Sequence, residues 1–312
     1  MTHLTRRELL AITTTAALEA TSPEAGAGAG ASVGDSVLVR REYVDGPWGQ
    51  IHLRIAEPRR RRDNVRPALA CFHYSPGSSR MYEAVLPRLA TDRTVIAPDT
   101  PGYGASAPPP SQPTLPEYAD ALAAGLERLG HGPRGRPIDL LGHLTGSLLA
   151  VELATTRPSW VRRLVLSRSP AFDAERRRAY VADVQQRAAT RRDDPSGAYL
   201  VERLKRGLDT RPPGTPPWLY VGLFIDSVTP GDAWAWGDVA AIGYPAEDRF
   251  PKLTQRVLLF TYPESGDAAF ARTPSLLPHA RVVELTGGAD WIWQLEPERI
   301  TAPARAFLDE GR

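Results

Sequence analysis

The sequence predicts an α/β fold: a mostly parallel eight-stranded sheet flanked by helices, with a helical segment inserted after the sixth strand. Three observations carry this. Short apolar runs recur along the chain and alternate with stretches of helical spacing, the pattern of parallel strands joined by right-handed crossovers. One apolar run, Ile138 to Leu141, stops at Gly142-His143-Leu144-Thr145-Gly146 and resumes as the helix-like Ser147 to Thr155. One interval, from about Pro170 to Lys252, holds helical patterns and no clear strand.

In chain order, Val37-Leu38-Val39 reads as the first strand, and Gly49 to Ile55 as a second that alternates with period two, as a half-exposed antiparallel edge does. Asp45-Gly46-Pro47 marks the turn between them. Ala68 to His73 is apolar enough to be buried on both faces. Thr94 to Ala97, Ile138 to Leu141, Leu164 to Leu166, Val257 to Phe260 and Val282 to Leu285 complete the eight strands. Helical spacing predicts helices over Tyr82 to Leu89, Leu115 to Leu129, Ser147 to Thr155 and Glu298 to Leu308. Within the insertion it predicts Ala174 to Arg192, Ala198 to Leu208 and Trp218 to Ile225, separated by prolines. This divides the chain into a leader (1–35), a first core part (36–170), an insertion (171–252) and a second core part (253–312).

Composition excludes several functions. A formal charge of +2 is too balanced for a nucleic-acid partner. The basic residues are nearly all arginine, a bacterial-like composition, and the clusters Arg59 to Arg62 and Arg176 to Arg178 read as solvated faces. The single cysteine, Cys71, sits in an apolar run; it excludes an internal disulfide and a cysteine-based zinc site. No apolar stretch is long enough to span a bilayer. No cofactor or metal is expected, and the partner is a small molecule. At the N-terminus, Thr5-Arg6-Arg7-Glu8-Leu9-Leu10 is similar to a twin-arginine export signal, with the small-residue run Ala25 to Ala31 after it. Glu19 and three threonines weaken its apolar region, so cytoplasmic and exported locations stay equally open.

A strand that turns directly into a helix brings backbone segments into contact two places either side of the apex, and only glycine has no β-carbon there. Gly142 and Gly146 flank Leu144 in this way. The stretch resembles the nucleophile elbow of the α/β-hydrolase superfamily. Three further motifs follow that family's order. His73-Tyr74-Ser75-Pro76-Gly77-Ser78-Ser79 matches its His-Gly-x-Pro-Gly-Ser-Ser loop. Ala97-Pro98-Asp99-Thr100-Pro101-Gly102-Tyr103-Gly104-Ala105-Ser106 matches its Pro-Asp-x-x-Gly-x-Gly-x-Ser loop. Leu295-Glu296-Pro297-Glu298 matches the segment after its histidine. The resemblance covers Val37 to the C-terminus and implies the family's fold, with a helical lid after strand six.

It also implies a serine nucleophile, a histidine base and an orienting acid, and here the sequence departs. The nucleophile position holds Leu144. The histidine position falls on Trp291, or on Asp290 with a slip of one residue. Asp267, or alternatively Glu264, stands at the acid position. The oxyanion-hole positions are Tyr74, where the family has glycine, and Thr145. His73 and His143 match family histidines that are not the base. Three readings remain. In the first, Asp290 and Asp267 act as a noncovalent acid–base pair with Tyr74, in a lyase-, dehydratase- or cyclase-like reaction. In the second, an apolar pocket with Leu144 at its floor and Trp291 or Trp293 near it binds a ligand without turnover; the residues expected to line the substrate pocket are His143, Trp291, Trp293 and Tyr103. In the third, an esterase-like hydrolase uses Ser147, Ser75 or Ser106 as nucleophile.

Overall fold

The computed structural model describes residues 36–132, 135–192, 194–265, 268–287 and 291–311. The leader, Asp267 and Asp290 lie outside the described residues. The strands are β1 (Val37–Gly46), β2 (Gly49–Pro58), β3 (Leu69–Phe72), β4 (Val95–Pro98), β5 (Ile138–His143), β6 (Val161–Ser167), β7 (Arg256–Thr261) and β8 (Arg281–Glu284). They form one eight-stranded sheet in the order β1-β2-β4-β3-β5-β6-β7-β8. β1 and β2 pair antiparallel, as do β2 and β4, and the remaining neighbours are parallel.

Because side chains alternate along a strand, the sheet feeds two cores. Ala70, Phe72, Leu140, Leu164, Leu166 and Leu259 face one side, where α2 (Leu115–Arg128) and α3 (Thr145–Thr156) cover them. Leu69, Cys71, Leu141, Val165, Leu258 and Phe260 face the other, under α1 (Leu86–Leu89) and the helices near the C-terminus. Burial pushes the Cys71 thiol well up, so it stays a protonated packing group.

Between β6 and β7 lie α4 (Ala174–Arg192), α5 (Ala198–Thr210), α6 (Pro217–Val228), α7 (Trp236–Gly243) and α8 (Ala246–Arg249). After β7 come α9 (Ala268–Leu276), α10 (Ile292–Leu295) and α11 (Glu298–Asp309). Arg162 fastens α11 to the sheet: it grips the fully buried Asp139 with two nitrogens (2.9 and 2.5 Å) and donates to the carbonyl of Leu308 at 2.7 Å. Among the described residues no helix is long and apolar enough to cross a membrane.

Two expectations are corrected. Tyr82 to Leu89 is not one helix but a 3₁₀ turn, Ser79–Tyr82, followed by the single turn of α1. Pro87 explains the break, because its ring lacks an N–H and clashes with the carbonyl four residues back, so a helix can begin only just before it. The second strand is not a half-exposed edge. Ile51 to Ala56 are all buried, since β1 is the edge and β2 lies between β1 and β4. Its polar residues are buried with partners: His52 Nδ1 lies 2.8 Å from Asp99, and Arg54 lies 2.8 Å from Glu83.

Candidate active site

The centre of the site is the bend between β5 and α3. Leu144 adopts φ 51°, ψ −118°, a conformation that a bulky side chain tolerates only under constraint. The constraint is visible on both sides. The Leu144 N–H donates to the Ser167 carbonyl at 3.0 Å, and the Leu144 carbonyl accepts from the Ser147 amide (2.9 Å) and the Ser147 hydroxyl (2.6 Å). A β-carbon on Gly142 would overlap the backbone of Gly146, and one on Gly146 would overlap the carbonyl of Phe72. Helix α3 therefore starts at the carboxyl end of the central strands, and its first amides carry the helix's positive end toward the site.

Beside the bend, the buried His143 ring meets Tyr74 and Trp293 edge-on, at centroid distances of 6.2 and 5.2 Å. Its Nδ1 lies 3.0 Å from Ser167 Oγ, which in turn lies 3.1 Å from the Tyr262 hydroxyl. Burial, with Arg168 nearby, pulls His143 down to about 3, so the imidazole is neutral at physiological pH. Arg168 follows β6 directly at φ 47° and places its guanidinium 5.1 Å from the Phe270 ring centroid. Leu144 and Arg168 are the two non-glycine residues with positive φ among those described, and they end adjacent strands.

Under Tyr74, His73 has a defined tautomer. The Thr100 amide donates to its Nε2 at 2.9 Å, so Nδ1 carries the proton and donates to the Tyr74 carbonyl at 2.7 Å. Burial lowers its pKa, consistent with the neutral ring. Asp99 holds the neighbouring loop by accepting from the amides of Ser79 (2.7 Å) and Ala105 (2.8 Å) and bonding His52. Burial alone would raise its carboxyl, but these bonds and the nearby imidazoles outweigh it and bring the pKa down to about 2. A group depressed in the folded state stabilises above its unfolded pKa and loses that contribution as pH falls through the folded one. Asp99 should thus supply roughly 2 kcal/mol above about pH 4 and none below about pH 2. Urea unfolding of wild type and Asp99→Asn at pH 7, 4 and 3 should show the wild-type advantage shrinking with pH; a constant difference contradicts this.

Between the core and the insertion, a cleft of about 340 Å³ is lined by Tyr74, Pro76 and Trp291 from the core, Arg203, Arg206 and Thr210 from α5, and Tyr220, Leu223, Phe224 and Ser227 from α6; Leu144 and His143, expected in the pocket, are not among its lining residues. Side-chain hydrogen bonds hold the insertion over the core. Asp226 on α6, 6% exposed, accepts from Ser78 Oγ at 2.6 Å and Arg80 Nε at 2.8 Å. The Tyr103 hydroxyl accepts from the Gly237 amide at 2.6 Å and donates to the Trp234 carbonyl. The Tyr244 hydroxyl donates to the buried Glu152 at 2.6 Å.

The structure brings Tyr74 and Trp291 together in the cleft wall, with the Tyr74 ring against His143. Trp293 is 1% exposed, packed between Tyr82 and His143, and does not line the cleft. Tyr103 is buried beneath the insertion, where burial raises its hydroxyl pKa. Thr145 Oγ1 accepts from the Ser75 amide at 3.4 Å, and Glu264 accepts from the Gly287 amide at 2.9 Å. Ser147 is fully buried, and Ser106 accepts from the His52 amide while donating to the Asp99 carbonyl. Sequence reasoning missed Arg203, Arg206 and Arg168. The cleft carries two guanidinium groups, where the sequence led to an apolar lining. Arg168's place just past a parallel strand's carboxyl end was the one signal available for it.

Comparison with known proteins fits this geometry. The profile of the alpha/beta hydrolase fold matches residues 67–288. A pyrrolizixenacetamide deacetylase of Xenorhabdus hominickii is 32% identical over 105 residues, 33% of this chain and 38% of that protein. The match thus spans well under two thirds of that relative's length. Among solved structures, a hydrolase from Pseudomonas aeruginosa PA01 has a TM-score of 0.68 at 18% identity, covering 86% of this chain and 98% of the other. The enol-lactonase of Burkholderia xenovorans LB400 has a TM-score of 0.66 at 17% identity, covering 86% and 100%. At such identities the structural likeness speaks for the fold alone. With a matching profile over most of its length and the sheet, bend and loops in the same order, the chain belongs to the alpha/beta hydrolase fold family.

Proposed function

We propose that the chain turns over a small molecule in the cleft by noncovalent acid–base chemistry, of the lyase, dehydratase or cyclase kind, without an acyl-enzyme. The observation that carries this is Leu144 at the apex of the bend, where a hydrocarbon replaces an attacking oxygen. The hydroxyls nearby support it. Ser147 and Ser106 are bonded to backbone, and Ser167, the serine that meets an imidazole among the described residues, is fully buried.

In this reading Asp290 and Asp267 act as base and acid. What supports the assignment is sequence position: Asp290 immediately precedes the cleft residue Trp291, and Asp267 comes two residues after Ser265. The first amides of α3, with Tyr74, stabilise developing negative charge. The insertion serves as the lid. A second reading, ligand binding without turnover, is favoured by one fact: no described cleft residue is a carboxylate or an imidazole. Asp290→Asn separates the two, since turnover should be lost with binding kept in the first case, and no turnover exists to lose in the second.

A further inference from the structure

The cleft carries more charge than an apolar ligand needs. Arg203 and Arg206 stand one helical turn apart on α5 and both line it. Arg206 is spread over an exposed ion pair with Glu202 at 2.7 Å, a contact of small energetic weight. Arg203 is half-buried and lies within ion-pair distance of no carboxylate of the described residues; its guanidinium sits 6.0 Å from the Phe224 ring centroid. The acid that acts on it from α7, Asp238, is shared with Arg187 and Arg191. Loss of solvent raises Asp238 to about 7 against the pull of those arginines, so it neutralises only part of the charge. Around these cations the wall is aromatic: Tyr220 and Trp291 lie 6.1 Å apart by ring centroid, and Tyr74 and Phe224 complete it.

A guanidinium that lacks a fixed carboxylate and is backed by aromatic rings is built to receive a planar anion from outside. We infer that the cleft takes an aromatic carboxylate, with its carboxylate on Arg203 and Arg206 and its ring against Tyr220 and Trp291. This rests on the reading of the cleft as the substrate site, and it names the substrate class. The anion anchor lies on the insertion, while Tyr74 belongs to the core wall, so a bound molecule spans both.

The test is a titration of the full chain with 2-naphthoate and with its neutral isostere 2-naphthamide, read by calorimetry at low salt. Naphthoate should bind about tenfold more tightly than the amide, as charge-assisted bonding to arginine predicts. Arg203→Gln should erase that preference, Arg203→Lys should keep part of it, and Arg206→Gln should weaken it about threefold because its pair with Glu202 is already solvated. Thermal melting of each variant confirms that it is folded. Equal binding of the two probes, no binding of either at millimolar concentration, or a preference unchanged in folded Arg203→Gln overturns the inference. Binding is read without turnover, so the two failures separate. Naphthoate preference in a chain that turns over nothing keeps the anion site and contradicts acid–base catalysis; turnover of neutral substrates without anion preference does the reverse.

Discussion

Gly146→Ala should yield no stably folded chain. The added β-carbon would overlap the Phe72 carbonyl oxygen and carbon and come within 2.8 Å of the His73 carbonyl. All of these are backbone atoms at the end of β3, a central strand hydrogen-bonded to β4 and β5, so nothing flexible can yield. Relief requires moving α3 away from the sheet and giving up the packing of Leu148, Leu149 and Val151, each at most 1% exposed. Losing that much core contact costs beyond about 4 kcal/mol, a large share of the 5–15 kcal/mol that holds a typical domain together. Gly222→Ala is the contrast. It sits inside α6 with Arg80 side-chain atoms no nearer than 3.5 Å, and should gain roughly 0.5–1 kcal/mol from helix propensity. Circular dichroism on heating reads both; a Gly146→Ala variant melting within a few degrees of wild type contradicts the account of the bend.

Asp290→Asn should lower kcat by about 10²–10⁴-fold, the range that one positioned acid or base supplies. Asparagine keeps the shape and takes away the proton transfer, so the Kd of a bound carboxylate should stay within about threefold. Under the proposed assignment, Asp267→Asn should remove one limb of a bell-shaped pH–rate profile, because it takes away one of the two titrating groups. A kcat unchanged by both substitutions contradicts the acid–base assignment. Loss of affinity in parallel with kcat would instead mark Asp290 as a binding group.

The sequence carries the sheet and the bend because both are local. Apolar runs set the parallel strands, and Gly142 and Gly146 announce a close approach that no other residue permits. It understates β1, where Arg40, Arg41 and Glu42 interrupt the pattern, because an edge strand is held by its ladder to β2 and can afford a charged face. The burial of His52 and Arg54 is hidden for a related reason. Each is paired with an acid far away in sequence, Asp99 and Glu83, and pairing at that distance has no periodicity. The cleft was the least legible part. Nothing in the sequence singles out Arg203 and Arg206 until α5 and α6 are set over Tyr74 and Trp291, and that placement depends on contacts such as Asp226 with Arg80.

The central claim is that no side chain of this protein forms a covalent intermediate, since the bend presents Leu144. Intact-mass spectrometry after incubation with an alkyl fluorophosphonate tests it most directly. The account predicts an unchanged mass for the wild-type chain and for Leu144→Ser, which gains a hydroxyl but finds His143 buried, made a poor base by a pKa pulled down to about 3, and already bonded to Ser167. Stoichiometric addition of one probe to the wild-type chain would contradict it.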